Sequence, residues 1–256
     1  MPIYKNDFPI LEYDTEKIGI IRGNRSGRNA IPTKCLMTFF GEVLDVFIKK
    51  HNGAEINYYG LEMRRFPIYK AVYKNTEISL IQAVVGSASI AMMADLLISY
   101  GVTELIACGG CGVLTDIPAG DVIIPITALR DEGASYHYLP PSREIALDED
   151  VVQTIKCTLD DFHTPYVVAK TWSTDAFYRE TPDMVTYRKE EGCGVVEMEC
   201  ATLAAVSKFR GVRFGQLLYS GDILTDFNNY DERDWDKNIS AREKLFYLSI
   251  ESLIRL

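Results

Sequence analysis

With 256 residues, 47% of them hydrophobic and 25% charged, the chain is sized for one large domain with a substantial core. A net charge of −9 without any Lys/Arg-rich run disfavours a nucleic-acid-binding surface. No apolar run reaches the about 18 residues of a membrane span, so no membrane association is expected.

The opening MPIYKNDFPILEYD carries early acids and no apolar h-region, which predicts no signal peptide and a cytoplasmic protein. Residues 1–256 read as one domain, with 1–34 as a polar lead-in containing IGII as a candidate short strand. Residues 34–40 read as a buried strand. Gly41 then opens a helical pattern with Val43, Val46 and Phe47 at helical spacing. A second apolar strand is expected at 79–85, turned by Gly86-Ser87 into a helix over 87–100 that stops at Gly101. Residues 103–108 form a third strand ending at Gly109-Gly110. Strands at 122–126 and 166–170 flank a helix over 151–162. A strand at 195–196 leads into a helix over 199–210, and 214–219 is the strand after it. The last segment, 241–256, is an amphipathic helix with Phe246, Ile250, Leu253 and Ile254 on one packed face, widened by Leu245 and Leu248. Alternating strands and helices predict an α/β fold with a largely parallel sheet.

The six cysteines sit mostly in apolar or Gly-rich segments and read as buried thiols. Cys108-Gly-Gly-Cys111 has C-x-x-C spacing, but a strand-like segment follows it and no helix start that would lower a thiol pKa. A second C-x-x-C or a His pair is missing, so no metal site is expected.

Glu197-Met198-Glu199 and Asp222 carry the chemistry. One carboxylate can accept hydrogen bonds from a sugar hydroxyl, and another can protonate a departing base. Ligands in such sheets bind at the carboxyl ends of strands. The segments at Gly41, Gly86, Gly109-Gly110 and Ser220-Gly221-Asp222 all fall there.

Four pieces, IACGGCGVL, EGASYHYLP, the aromatic pair in DAFY, and VVEMECATL at its spacing to Asp222, resemble the nucleoside phosphorylase/nucleosidase superfamily. This superfamily comprises purine nucleoside phosphorylases, uridine phosphorylases and methylthioadenosine nucleosidases. The resemblance runs from about Lys34 to the C-terminus. It implies a three-layer fold with a central mixed, largely parallel sheet flanked by helices.

By that resemblance, Met198 and Glu199 hold the ribose, and Glu199 accepts its 2′- and 3′-hydroxyls. Asp222, 23 residues after Glu199, protonates or hydrogen-bonds purine N7, with Gly221 where relatives carry Ser. Phe177 and Tyr178 stack on the base. The residues after them, Arg179 to Pro182, lack the Gln/Arg pair that reads uracil, which points to a purine.

The phosphate half departs from the pattern. Gly41, Gly109 and Gly110 line it, with Glu42 at the usual Asp position and Gly110 in place of a Ser. Asp45 and Ala107 stand where relatives carry arginines. Only Arg64, at the place of a partner-subunit Arg, is kept, with Arg65 adjacent. An Asp there repels phosphate but suits positioning water. The Gly/Arg-rich loop with Arg22, Arg25 and Arg28 is an alternative source of phosphate contacts, and Tyr136 and His137 are candidates for the sugar or a subunit interface.

Three activities follow as expectations. The first is a purine-preferring nucleoside phosphorylase using nucleoside and inorganic phosphate. The others are a hydrolytic nucleosidase of the methylthioadenosine type and a nucleoside-binding protein that has lost catalysis. No cofactor is implied. A homodimer or a trimer of dimers is, with active sites completed across subunits.

Overall fold

Ten strands join in one mixed sheet in the computed structural model, which describes residues 3–23, 30–62, 64–225, 230–234 and 237–256. In chain order they are β1 (Lys34–Thr38), β2 (Ala54–Gly60), β3 (Arg65–Tyr73), β4 (Thr76–Gln82), β5 (Glu104–Val113), β6 (Val122–Asp131), β7 (Glu144–Ala146), β8 (Tyr166–Thr174), β9 (Cys193–Glu197) and β10 (Arg213–Ile223). The helices are α1 (Gly41–Lys50), α2 (Ser87–Ser99), α3 (Glu149–Asp161), α4 (Pro182–Glu190), α5 (Cys200–Arg210) and α6 (Ile239–Leu253).

Strand β5 organises the sheet. It runs parallel to β10 along its length and parallel to β1 over its first half. Its last two residues pair antiparallel with β9, Gly112 opposite Val196 and Val113 opposite Val195. β9 lies parallel to β8, β8 parallel to β6, and β6 closes antiparallel onto β10. Those five strands form a closed ring. β1, β4, β3 and β2 continue from β5 as an open wing. Parallel strands buried on both faces need near-continuous apolar runs. β5 supplies one, with Leu105, Ile106, Ala107 and Cys108 all buried.

The expected strand end at Gly109-Gly110 is corrected here, because β5 continues through both glycines to Val113. A side chain at Gly109 would have its Cβ 2.8 Å from the Phe39 ring, so the glycine admits the close approach of the β1 to α1 turn. Cys108 and Cys111, three apart on one strand, point to opposite faces and are buried without a disulfide.

Inside the ring, Cys111, Val113, Ile117, Ile123, Val195 and Leu218 pack into a cluster of their own. The larger core lies between the sheet and the helices. Fully burying one such side chain contributes about 1.5–3 kcal/mol. α5 is buried almost all round, and α6 buries Leu245, Phe246, Leu248, Ile250 and Leu253 as its spacing predicts, together with Ser249, Glu251 and Ser252, while Ile254 lies past its end and is half-buried. α2 ends before Gly101, whose φ of 109° suits glycine.

Several local expectations shift. Residues 18–21 form no strand; Ile20 is 95% exposed on an arm lying across the surface. Val46 faces solvent, and Leu44 packs beside Val43 and Phe47 instead. The β2–β3 hairpin and α4 are elements the sequence reading left unassigned. No helix among the described residues is long and apolar enough to cross a membrane.

Candidate active site

The turn from β4 into α2 places Gly86 at φ 94°, and its N–H donates to Glu199 Oε1 at 2.6 Å. Glu199 is buried at the N-cap of α5. Glu197, two residues earlier, has a different task. It accepts the hydroxyls of Thr171 at 3.1 Å and Ser173 at 2.5 Å, and the backbone N–H groups of Glu199 at 2.7 Å and Cys200 at 2.6 Å. A carboxylate on the first N–H groups of α5 satisfies donors that the helix leaves over and complements its dipole. Glu197 therefore fixes the turn that presents Glu199.

Burial pushes both carboxyls up. Four donors favour the ionised form of Glu197. Burial and then the Glu197 charge raise Glu199 to about 8, against the pull of its backbone N–H partners.

Asp222 stands near the end of β10, where the pairing register shifts between Ser220 and Ile223. The Tyr230 hydroxyl donates to Asp222 Oδ2 at 2.9 Å. Burial raises the Asp222 carboxyl, opposed by Tyr230, a backbone N–H and Arg233. A Cβ on Gly112 would lie 3.0 Å from Val196 and 3.4 Å from Asp222 Oδ1. Gly112 thus sits between the β9 strand that leads to Glu199 and the β10 end that carries Asp222.

Glu180 joins this group and was not singled out by sequence. It follows the short 3-10 turn of Phe177–Arg179, and burial with the nearby Asp222 charge raises it to about 8. The only hint in the sequence is its place just after the aromatic pair. Phe177 and Tyr178 are 49% and 88% exposed with ring centroids 4.0 Å apart, so they are an accessible surface and not core. Beside Ser87 and Asp175, which hydrogen-bond each other, a cavity of about 690 Å³ opens toward His137 and the N-terminal arm. The Tyr136 hydroxyl donates to the Arg130 carbonyl at 2.9 Å.

The glycines of the other half also converge. A Cβ on Gly41 would lie 2.7 Å from Gln82 Nε2, and one on Gly110 would lie 3.2 Å from the Tyr219 ring. Asp45 is exposed on α1, and its charge acts on the Tyr69 phenol of β3. Arg64 is exposed at the β2–β3 turn, its guanidinium carbon 5.4 Å from the Phe66 ring. Three strand spacings, roughly 14 Å, separate β5 from β3, so Arg64 is not brought to Gly110 of its own chain. Arg65 pairs with Glu55. A Cβ on Gly23 would meet Ser99, at the end of α2 opposite Gly86. Arg22 therefore starts far from the site, while Arg25 and Arg28 lie outside the described residues.

One guanidinium that the sequence reading did not name stands at Gly41. Arg242 of α6 pairs with Glu42 at 3.1 Å and lies 4.9 Å from the Phe40 ring. No group of three or more His, Cys, Asp or Glu side chains among the described residues is placed to hold a metal ion.

Two carboxyls raised by burial, Glu199 at the start of α5 and Asp222 near the end of β10, thus stand at strand ends of a mixed α/β sheet. The model of the phosphorylase superfamily matches residues 33–254, and the chain belongs to that enzyme family. It is 28% identical to a guanosine phosphorylase of Halorubrum lacusprofundi over 60% of this chain and 64% of that enzyme, somewhat under two thirds of its length. It is 26% identical to a purine nucleoside phosphorylase of Plasmodium vivax over 75% of this chain and 80% of the relative. The fold matches that of a purine nucleoside phosphorylase from Toxoplasma gondii with a TM-score of 0.77, covering 88% of this chain and 91% of that one at 17% identity.

Proposed function

We propose that the protein is a purine nucleoside phosphorylase that transfers the pentosyl group of a nucleoside to inorganic phosphate. Glu199, as a carboxylate, accepts the sugar hydroxyls and steadies the positive charge that develops on the ring. The C1′–N9 bond breaks and its electron pair goes to the base. Asp222 gives its proton to purine N7, and a phosphate oxygen bonds to C1′. The products are free base and pentose 1-phosphate, and the reaction as written needs no cofactor.

The observation that carries this reading is the raised Asp222 carboxyl beside Glu180, across Gly112 from the strand leading to Glu199. A carboxyl raised by burial holds its proton more readily than an exposed one, which suits a general acid toward a leaving base. The exposed aromatic pair suits a flat heterocycle. Support for phosphate over water comes from Asp45. Its charge acts on Tyr69 of β3, and at Gly41 a guanidinium, Arg242, stands against the Glu42 carboxylate.

Inosine, guanosine, adenosine and uridine assayed with and without phosphate test this directly. Turnover of purine nucleosides to pentose 1-phosphate, strictly dependent on phosphate, is expected. Asp222→Asn should lower kcat about 10²–10⁴-fold, the usual contribution of general acid catalysis. Free pentose formed without phosphate would instead make the protein a hydrolase, and no turnover of any nucleoside would make it a binding protein.

A further inference from the structure

We propose that Arg242 anchors the anionic co-substrate, replacing the guanidiniums absent at Asp45 and Ala107. The inference rests on the phosphorolytic reading and names the residue of this chain that makes it work.

Geometry carries it. Phe40 and Glu42, the two residues flanking Gly41, both touch Arg242: the guanidinium is 4.9 Å from the Phe40 ring and 3.1 Å from Glu42 Oε1. Gly41 begins α1, so its N–H belongs to the orphan donors of a helix start. Arg242 is thereby pinned within a side chain's reach of those donors. The opposite wall is Gly110, against which the Tyr219 ring packs, and Tyr219 lies 5.8 Å from Phe40. Burial pushes the Tyr219 phenol up to about 12, so it remains a hydroxyl, and Arg242 is the largest charge acting on it. One cation, one hydroxyl, the amide of Gln82 at Gly41 and two side-chain-free glycines therefore converge at the strand ends.

The electrostatics favour exchange. The Arg242 side chain is only 12% exposed, whereas Glu42 is 44% exposed. A half-solvated carboxylate is a weak partner. A phosphate dianion offers two oxygens in the spacing of the guanidinium fork and carries more charge. Arg242 can turn from Glu42 toward the anion while its guanidinium stays over the Phe40 ring.

The test compares phosphate and nucleoside kinetics in the full-length protein and its Arg242→Gln, Arg242→Lys and Glu42→Gln variants. Inorganic phosphate is the probe, and its effect on the melting temperature gives a readout independent of turnover. In Arg242→Gln the KM for phosphate should rise about ten- to hundredfold, the scale of one lost charge-assisted hydrogen-bond pair. The KM for nucleoside should stay within about threefold of wild type, because Arg242 stands at the phosphate wall and the base and sugar lie elsewhere. Arg242→Lys should raise the phosphate KM less, since it keeps the charge and loses the fork. Glu42→Gln should keep or tighten it, since a competitor is removed. Phosphate should raise the melting temperature of wild type and Glu42→Gln and not that of Arg242→Gln.

If Arg242→Gln does not fold, the phosphate KM of Arg242→Lys decides alone, and an unchanged value overturns the inference. A phosphate-dependent wild type with an unchanged phosphate KM in Arg242→Gln overturns the inference and leaves the phosphorolytic reading standing. A wild type whose turnover and melting temperature both ignore phosphate overturns the two together.

Discussion

In the proposed reaction Glu199 acts as a carboxylate, yet burial and the charge of Glu197 raise its carboxyl to about 8. Its ordinary value is 4.5, so between pH 4.5 and about 8 the folded chain binds a proton that the unfolded chain has released. Stability therefore falls as pH rises through that window. Glu180, also raised to about 8, acts in the same direction. Melting temperatures measured across this range should slope downward in the wild type, less so in Glu199→Gln or Glu180→Gln, and least in the double variant. Superimposable profiles would show that neither group carries the proton. Nucleoside affinity should rise toward pH 8 as Glu199 ionises. Glu199 and Asp222 stood out in the sequence as candidates because each sits in a short motif beside a strand end. Glu180 and Arg242 were not. Arg242 meets Gly41 only because α6, from the far end of the chain, packs on β1 and α1, and no local pattern encodes that contact.

At the scale of elements, the turn between β4 and α2 couples backbone geometry to the site. Gly86 has φ 94°, a region unfavourable to side chains, while nothing lies within 4 Å of where its Cβ would be. The whole cost of Gly86→Ala therefore falls on the backbone, about 1–3 kcal/mol for a residue forced into such a conformation. If the turn rotates to relieve it, the N–H leaves Glu199 Oε1. The variant should melt at a lower temperature and show a raised KM for nucleoside with a nearly unchanged KM for phosphate. A normal nucleoside KM would mean that the Gly86 bond does not orient Glu199. The sequence marked this turn correctly, and it marked every helix except α4, although Thr181-Pro182 is a helix start whose side chain accepts the Met184 N–H. Strand ends were harder to read. Gly109-Gly110 resembles a terminator, yet β5 needs small residues there because Phe39 and Tyr219 crowd it. The β2–β3 hairpin escaped notice because its half-exposed strands mix tyrosines with charges, which blurs the alternation.

Across the whole molecule, the sheet separates a closed ring that carries the carboxylates from an open wing that ends in the β2–β3 hairpin. The hairpin tip at Arg64 and Arg65 lies on the same edge of the sheet as the C-terminal end of β4, because β3 runs antiparallel to β4 with Ile68 opposite Ile81. Arg64 is thus directed along the active-site edge but displaced sideways by three strands, a position suited to a neighbouring subunit's phosphate site. Function in trans makes a sharp expectation. Arg64→Ala and Asp222→Asn should each be nearly inactive alone. When the two are co-refolded, a mixed dimer pairs the intact Asp222 of one subunit with the intact Arg64 of the other. Random mixing should then recover about a quarter of wild-type activity, because half the dimers are mixed and one of their two symmetric sites is whole. If Arg64 served its own chain, every site would lack one group and mixing would restore nothing. An Arg64→Ala protein with full activity would remove this residue from the site altogether and leave Arg242 as the cation at Gly41.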